Sequence, residues 1–207
     1  DGWIRELEPE GDEAKENTGE AEEKKPEPVF RPGGASRGTA YHRALECLPF
    51  HKIHSLSDTK KALLSLHEQG YLDQESYEWV DPKDIWRFLE SPLGERMALA
   101  QAEGRLFKEQ QFMIGVPAAK MGYEGSKELV LVQGVMDAYM EEAEGLILID
   151  YKTDRILRKD REKGAELLKE RYQVQIDSYE RALCQITGKK AAGRFIYSFA
   201  LQKEIAV

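Results

Sequence analysis

The sequence predicts an α/β fold: a mixed β-sheet flanked by helices, with an N-terminal helical segment. Three observations predict it. Apolar residues over 36–103 recur at helical spacing, between repeated helix-start signals. Residues 105–152 then change to three apolar or alternating runs joined by short connections, the pattern of a strand meander. A helical stretch at 158–187 separates these from a last apolar run, RFIYSFAL, so strand, helix and strand in one sheet require a crossover connection.

The elements follow in chain order. Residues 1–35 are rich in Glu, Lys, Gly and Pro and too poor in apolar residues to offset their ordering entropy, so they are expected to form an acidic flexible linker. Eleven acidic and four basic residues fall in 1–28, so that segment carries −7 of the net charge of −8. The rest is near neutral and neither demands nor excludes a nucleic-acid partner. SRGTAYHRALECL places Ala40, Ala44, Cys47 and Leu48 on one helical stripe. SLSDTKKALLSLHEQG is a second helix, with Ser57 as the expected N-cap and Gly70 as its stop. DPKDIWRFLE and SPLGERMALAQAEG each offer a cap followed by proline: Asp81 with Pro82, and Ser91 with Pro92. RLFKEQQFMIGV, ELVLVQGVMDAYM and LILIDYK are the expected strands.

With 207 residues and 41% hydrophobic content, the chain can bury one sizeable core. It has no run of 18 apolar residues and no signal peptide, so no membrane association is expected. It begins at Asp1 rather than methionine, which suggests a piece of something longer. Two cysteines, Cys47 and Cys184, fit a reducing compartment and are too few for a disulfide framework or a four-cysteine metal site.

The chemistry concentrates in GVMDAYMEEAEGLILIDYKTDR, residues 134–155. If EAEG at 142–145 is the turn, Glu141 faces Leu146, and the same register sets Asp137 opposite Asp150. Their Cβ atoms would then lie about 5 Å apart. Like charges at that distance repel by about 3 kcal/mol at an effective dielectric of 20. Lys152 points to the same face, and Ile147, Ile149 and Tyr151 to the other. Two things can relieve the repulsion: a hard divalent cation such as Mg²⁺ or Mn²⁺ held by both acids, or an ion pair with Lys152. Spacing leaves both open. A glycosidase dyad would also want carboxyls about 5 Å apart, but has no use for the lysine.

G-x-x-D at 134–137, a short hairpin and D-Y-K-T at 150–153 together resemble the RecB-like branch of the PD-(D/E)XK nucleases. Three further pieces fall in that family's order. G-T-A-Y-H at 38–42 is similar to its early helix with a metal-binding histidine, here His42. F-K-E-Q-Q-F at 107–112 is similar to its first strand with an internal glutamate, Glu109. Y-Q-V-Q-I-D-S-Y at 172–179 is similar to the helix after the lysine, with Tyr172, Gln175 and Tyr179 on one face.

The resemblance implies a restriction-endonuclease-like fold over 36–207 and a metal-dependent deoxyribonuclease, an exonuclease that hydrolyses phosphodiester bonds. Asp137, Asp150 and Lys152 would be catalytic. Mg²⁺ or Mn²⁺ would be held by His42, Asp137, Asp150 and the backbone carbonyl of Tyr151. Lys152 would position or activate a water and stabilise charge growing on the phosphate. Glu109, Tyr172 and Gln175 would support the site or touch DNA. Arg155 and Arg158, in the basic run RILRKDREK, would hold backbone phosphates or form a solvated helix start. Within that branch the sequence is similar to the bacterial AddAB helicase–nuclease family. This implies single-stranded DNA as substrate, a role in double-strand-break repair and recombination, and a cytoplasmic location. It also implies a helicase motor in the same full-length chain, joined through the acidic linker, and an AddB-type partner subunit. Some relatives clamp an iron–sulfur cluster with four cysteines; none is expected here. The alternative is a catalytically inactive nuclease-fold module that binds DNA or scaffolds the helicase complex. Such modules typically lose the acids or the lysine, and all are present here.

Overall fold

A computed structural model describes residues 34–121, 125, 128–157 and 160–207. The expected linker lies outside them except for its last two residues, which open the first helix, and Arg158 lies outside them as well. Five helices come first: α1 (Gly34–Cys47), α2 (Leu56–Glu68), α3 (Gln74–Trp79), α4 (Pro82–Leu89) and α5 (Pro92–Ala102). Strands β1 (Leu106–Pro117), β2 (Leu129–Glu142) and β3 (Gly145–Lys152) follow as a meander. Helix α6 (Gly164–Thr187) crosses to β4 (Ala191–Ser198), and β5 (Lys203–Ala206) closes the sheet.

Local chemistry explains the helix starts. Asp81 accepts a hydrogen bond from the Lys83 amide and Ser91 from the Gly94 amide, each with proline in the first turn, as the sequence predicts. The second helix departs from expectation, because its cap is Ser55 rather than Ser57. Ser55 Oγ accepts from the Asp58 amide at 3.1 Å, and the Asp58 carboxylate accepts from the Ser55 hydroxyl at 2.8 Å. Ser57 has no acid three residues on, so only Ser55 can close this reciprocal pair. Helix α6 begins at Gly164, not 158, and no side chain caps it. The charged run before it offers no apolar stripe to pack, whereas Gly164 fits closely against Ile156 and Leu201. The short α3 and β5 have no counterpart in the sequence prediction, which ends its last strand at 201.

The sheet order is β1-β2-β3-β4-β5. Only the β3–β4 pair, joined through α6, is parallel; the other three pairs are antiparallel. The helical run α1–α5 covers one face: Ile147, Ile149 and Tyr151 pack there with Leu45, Phe88 and Met97. Helix α6 covers the other, where Leu146, Leu148 and Ile196 meet Leu168, Ile176 and Leu183. Strand β3 is therefore buried on both faces, as a central strand flanked by a parallel neighbour requires. Arg96 of α5 grips Glu142 with two hydrogen bonds of 2.9 Å, fixing the hairpin end to the helical layer. Among the described residues, no helix is long and apolar enough to cross a membrane.

Candidate active site

Helix α1 is pressed onto the end of β3 at a glycine. A Cβ on Gly38 would stand 3.3 Å from Thr153 Oγ1, so the small residue lets the helix approach the loop after Lys152. One turn on, His42 reaches into the sheet. Its Nδ1 lies 3.0 Å from Asp137 Oδ1 and its Nε2 lies 3.1 Å from the Tyr151 carbonyl oxygen. Both neighbours are acceptors, so a doubly protonated ring satisfies both.

The hairpin register is the expected one: Glu142 pairs with Gly145 and Ala138 with Ile149. Asp137 and Asp150 would form the next rung, but the ladder stops there. The Asp137 carboxylate takes the place of a backbone acceptor, and the Tyr151 amide donates to its Oδ2 at 2.6 Å. The β1–β2 ladder is broken at the same place, with Lys108 paired to Ala138 and Gln110 to Met136 but no rung at Glu109. Glu109 has φ 48, a left-handed backbone inside a strand. Ligand atoms of His42, Glu109 and Asp137 lie within 4.8 Å of one another.

Asp150 is 1% exposed and belongs to a different set of contacts. The Lys152 ammonium is 2.7 Å from its Oδ2, within ion-pair range but not aligned as a hydrogen bond, which leaves that buried oxygen without a donor among the described residues. Lys152 instead donates to Gln175 Oε1 at 2.9 Å and sits 4.1 Å over the Tyr172 ring. Gln175 in turn donates to the Tyr179 hydroxyl at 2.7 Å. The face of α6 bearing Tyr172, Gln175 and Tyr179 therefore serves Lys152, and Tyr172 also donates to Asp154 at 2.7 Å.

Crowded carboxylates in a dry site resist ionisation. Burial, then the charge of Asp137, raise Asp150 to about 6, against the pull of Lys152 and His42. Burial and Asp137 likewise raise Glu109 to about 6, with His42 opposing. Burial lowers the His42 pKa, but the hydrogen bond and charge of Asp137, with help from Asp150 and Glu109, more than offset it, so the net shift is upward. Imidazole nitrogen and carboxylate oxygens close together suit a hard or borderline divalent ion.

A family profile described as the PD-(D/E)XK nuclease superfamily matches residues 16–206. The chain belongs to this superfamily. A Lachnoclostridium phytofermentans protein, named as the A subunit of an ATP-dependent helicase/nuclease, is 33% identical over 84% of the chain. Proteins of the same name from the Loch Maree and Alaska E43 strains of Clostridium botulinum are 33% and 32% identical over the same share. The chain spans 15% of the first of these relatives and 13% and 14% of the other two.

Within this nuclease fold the structure brings His42, Glu109, Asp137, Asp150, Tyr151, Lys152, Tyr172 and Gln175 into one region. Arg155 is exposed in the loop after Lys152, with no hydrogen bond or ion pair to that group among the described residues. Lys108, Phe112, Gly134 and Asp154 were not foreseen as supports. Lys108 ties β1 to the end of α1, donating to the carbonyls of Leu45 and Leu48 at 2.8 and 2.7 Å. Its signal was legible: Lys108 is two residues from Leu106, on the inward face of a strand, where a lysine needs a partner. Gly134 leaves room for the Phe112 ring, which meets Tyr179 edge-on at 5.6 Å.

Proposed function

We propose that this domain hydrolyses phosphodiester bonds of single-stranded DNA with Mg²⁺ or Mn²⁺, as the nuclease module of a longer helicase–nuclease acting in double-strand-break repair and recombination. The observation that carries the reading is the convergence of His42 and Asp137 beside the buried Asp150–Lys152 pair. A family match alone would be compatible with a decayed site. His42, Asp137, Asp150 and the Tyr151 carbonyl would hold the ion, which, when bound, supplies a lowered pKa for water and positive charge against the phosphate. His42 must shed its proton to offer a lone pair there. Lys152, held by Gln175 and the Tyr172 ring, keeps an ammonium aimed at the reaction centre, where it orients the attacking water and stabilises negative charge on the phosphoryl oxygens. Arg155 is exposed on the loop that continues from Lys152 and would meet backbone phosphates. The relatives' name supports a helicase motor in the same full-length chain, working with an AddB-type partner.

The test is cleavage of a labelled single strand by the 207-residue chain with Mg²⁺, Mn²⁺ or EDTA. Metal-dependent cutting by the parent, reduced at least about a hundredfold in Lys152→Ala and Asp150→Ala, is expected. Parent and variants that cut equally fast would overturn the mechanism. A folded parent that binds DNA without cutting under either metal would establish the inactive-module reading.

A further inference from the structure

We propose that Glu109 is a direct ligand of the divalent cation, an extra carboxylate facing Asp137 across the β1–β2 ladder. This rests on the metal-dependent reading above and adds a donor to its ligand set.

Four observations point the same way. The register sets Glu109 opposite Asp137, and the ladder opens at that rung alone, between paired neighbours on both sides. The backbone turns left-handed at Glu109, with φ 48, a conformation that strains a non-glycine residue and that strands do not otherwise need. The Glu109 carboxylate has no hydrogen bond or ion pair among the described residues, although it is only half-exposed and stands by another carboxylate. Its oxygen is nevertheless within 4.8 Å of ligand atoms of both His42 and Asp137.

The charges sharpen the point. Asp137 has His42 Nδ1 at 3.0 Å and Asp150 has Lys152 Nζ at 2.7 Å. Glu109 is the carboxylate of this group that has no such partner among the described residues. A divalent cation seated between His42, Glu109 and Asp137 supplies one. A structural role would be served better by glutamine, which keeps the size and removes the repulsion. A role in orienting Lys152 does not fit, since that ammonium is held by Asp150 and Gln175.

Two variants separate ligation from folding. Glu109→Gln removes the charge, and Glu109→Gly removes the carboxylate while suiting the left-handed backbone. Mn²⁺ is titrated calorimetrically into the 207-residue chain and thermal unfolding is followed in EDTA. Both variants are expected to bind Mn²⁺ at least about tenfold more weakly, and to melt at the parent temperature or about 2–4 °C above it in EDTA. Affinity equal to the parent in either folded variant overturns the inference and leaves the nuclease reading standing. A metal-free melting temperature that falls in both variants assigns Glu109 a structural role and also overturns it. A parent chain that binds no Mn²⁺ removes the metal-dependent reading itself, and this inference with it.

Discussion

Replacing Lys108 by methionine tests how the structure holds its histidine helix in place. The last carbonyls of any α-helix lack partners within the helix. At the end of α1, Lys108 supplies them from β1: its Nζ is 2.8 Å from the Leu45 oxygen, 2.7 Å from the Leu48 oxygen and 3.4 Å from the Glu46 oxygen. The same nitrogen lies 3.5 Å over the Phe50 ring. The charge itself contributes little, because burial pushes the Lys108 pKa down to about 7 and so cancels much of what the carbonyls give an ammonium. Donor count is what matters. Ammonium or amine, Lys108 can serve the two near carbonyls, and methionine serves neither. The Leu48 oxygen keeps the Gln101 side-chain amide and the Phe50 backbone amide, both at 3.2 Å. The Leu45 oxygen is therefore the near acceptor left without a donor, at a cost on the order of 1–3 kcal/mol, part of which methionine's apolar packing returns. Lys108→Met should therefore lose about 1 kcal/mol in urea unfolding, with an unchanged slope. Since α1 carries His42, Mn²⁺ affinity should fall a few-fold in the variant while it is still folded. If the variant is as stable as the parent, the buried nitrogen costs as much as its carbonyls gain, and the clamp described here does not exist.

The site acids predict a pH dependence of the metal-free chain. Asp150 and Glu109 both have folded pKa values of about 6, above ordinary carboxylate values. Between roughly pH 4 and 6 the folded state then holds more protons than the unfolded, so the stability these groups contribute is full below that window and lost as pH rises through it, by about 3 kcal/mol for Asp150. Urea unfolding in EDTA should show the fall in the parent and a smaller one in Asp150→Asn, and saturating Mn²⁺ should abolish it; equal slopes in both proteins would show that Asp150 is not the source. Gly134→Ala tests the support of Lys152. The new Cβ would stand 2.8 Å from the Phe112 ring, which packs on Tyr179, which accepts from Gln175, which holds Lys152. Overpacking there should cost about 1–3 kcal/mol and lower kcat with Mn²⁺ affinity unchanged; an unaltered kcat in folded protein would show that Lys152 does not depend on this stack.

Much of this fold is written locally. A strand's side-chain period of two, with Gly145 ending the turn, fixes the β2–β3 register, and the chain obeys it from Glu142–Gly145 to Ala138–Ile149. Caps with proline behind them, at Asp81 and Ser91, mark helices for the same reason: the bond that stops the helix lies within three residues of its start. What failed to read was decided at longer range. Ser57 and Ser55 are equally good caps by type, and only the reciprocal bond with Asp58 separates them. The start of α6 depends on Leu201, from the other end of the crossover, accepting a glycine at 164.

The candidate site divides along the same line. Alternation brings Asp137 and Asp150 to neighbouring strands and puts Lys152 beside Asp150, and all of that is sequence arithmetic. It cannot say whether an ion pair or a cation answers the two acids, because ion pairs do answer them: His42 takes Asp137 and Lys152 takes Asp150. His42 comes from a helix nearly a hundred residues upstream, so only resemblance singled it out. The deciding group is Glu109, and alternation hides it, because its approach to Asp137 depends on a left-handed turn of one residue in the middle of β1. A strand that keeps its register on both sides of such a turn has not slipped. It has spent conformational energy to aim a third carboxylate at a pair that already has partners, and the divalent cation we propose there would make that arrangement favourable.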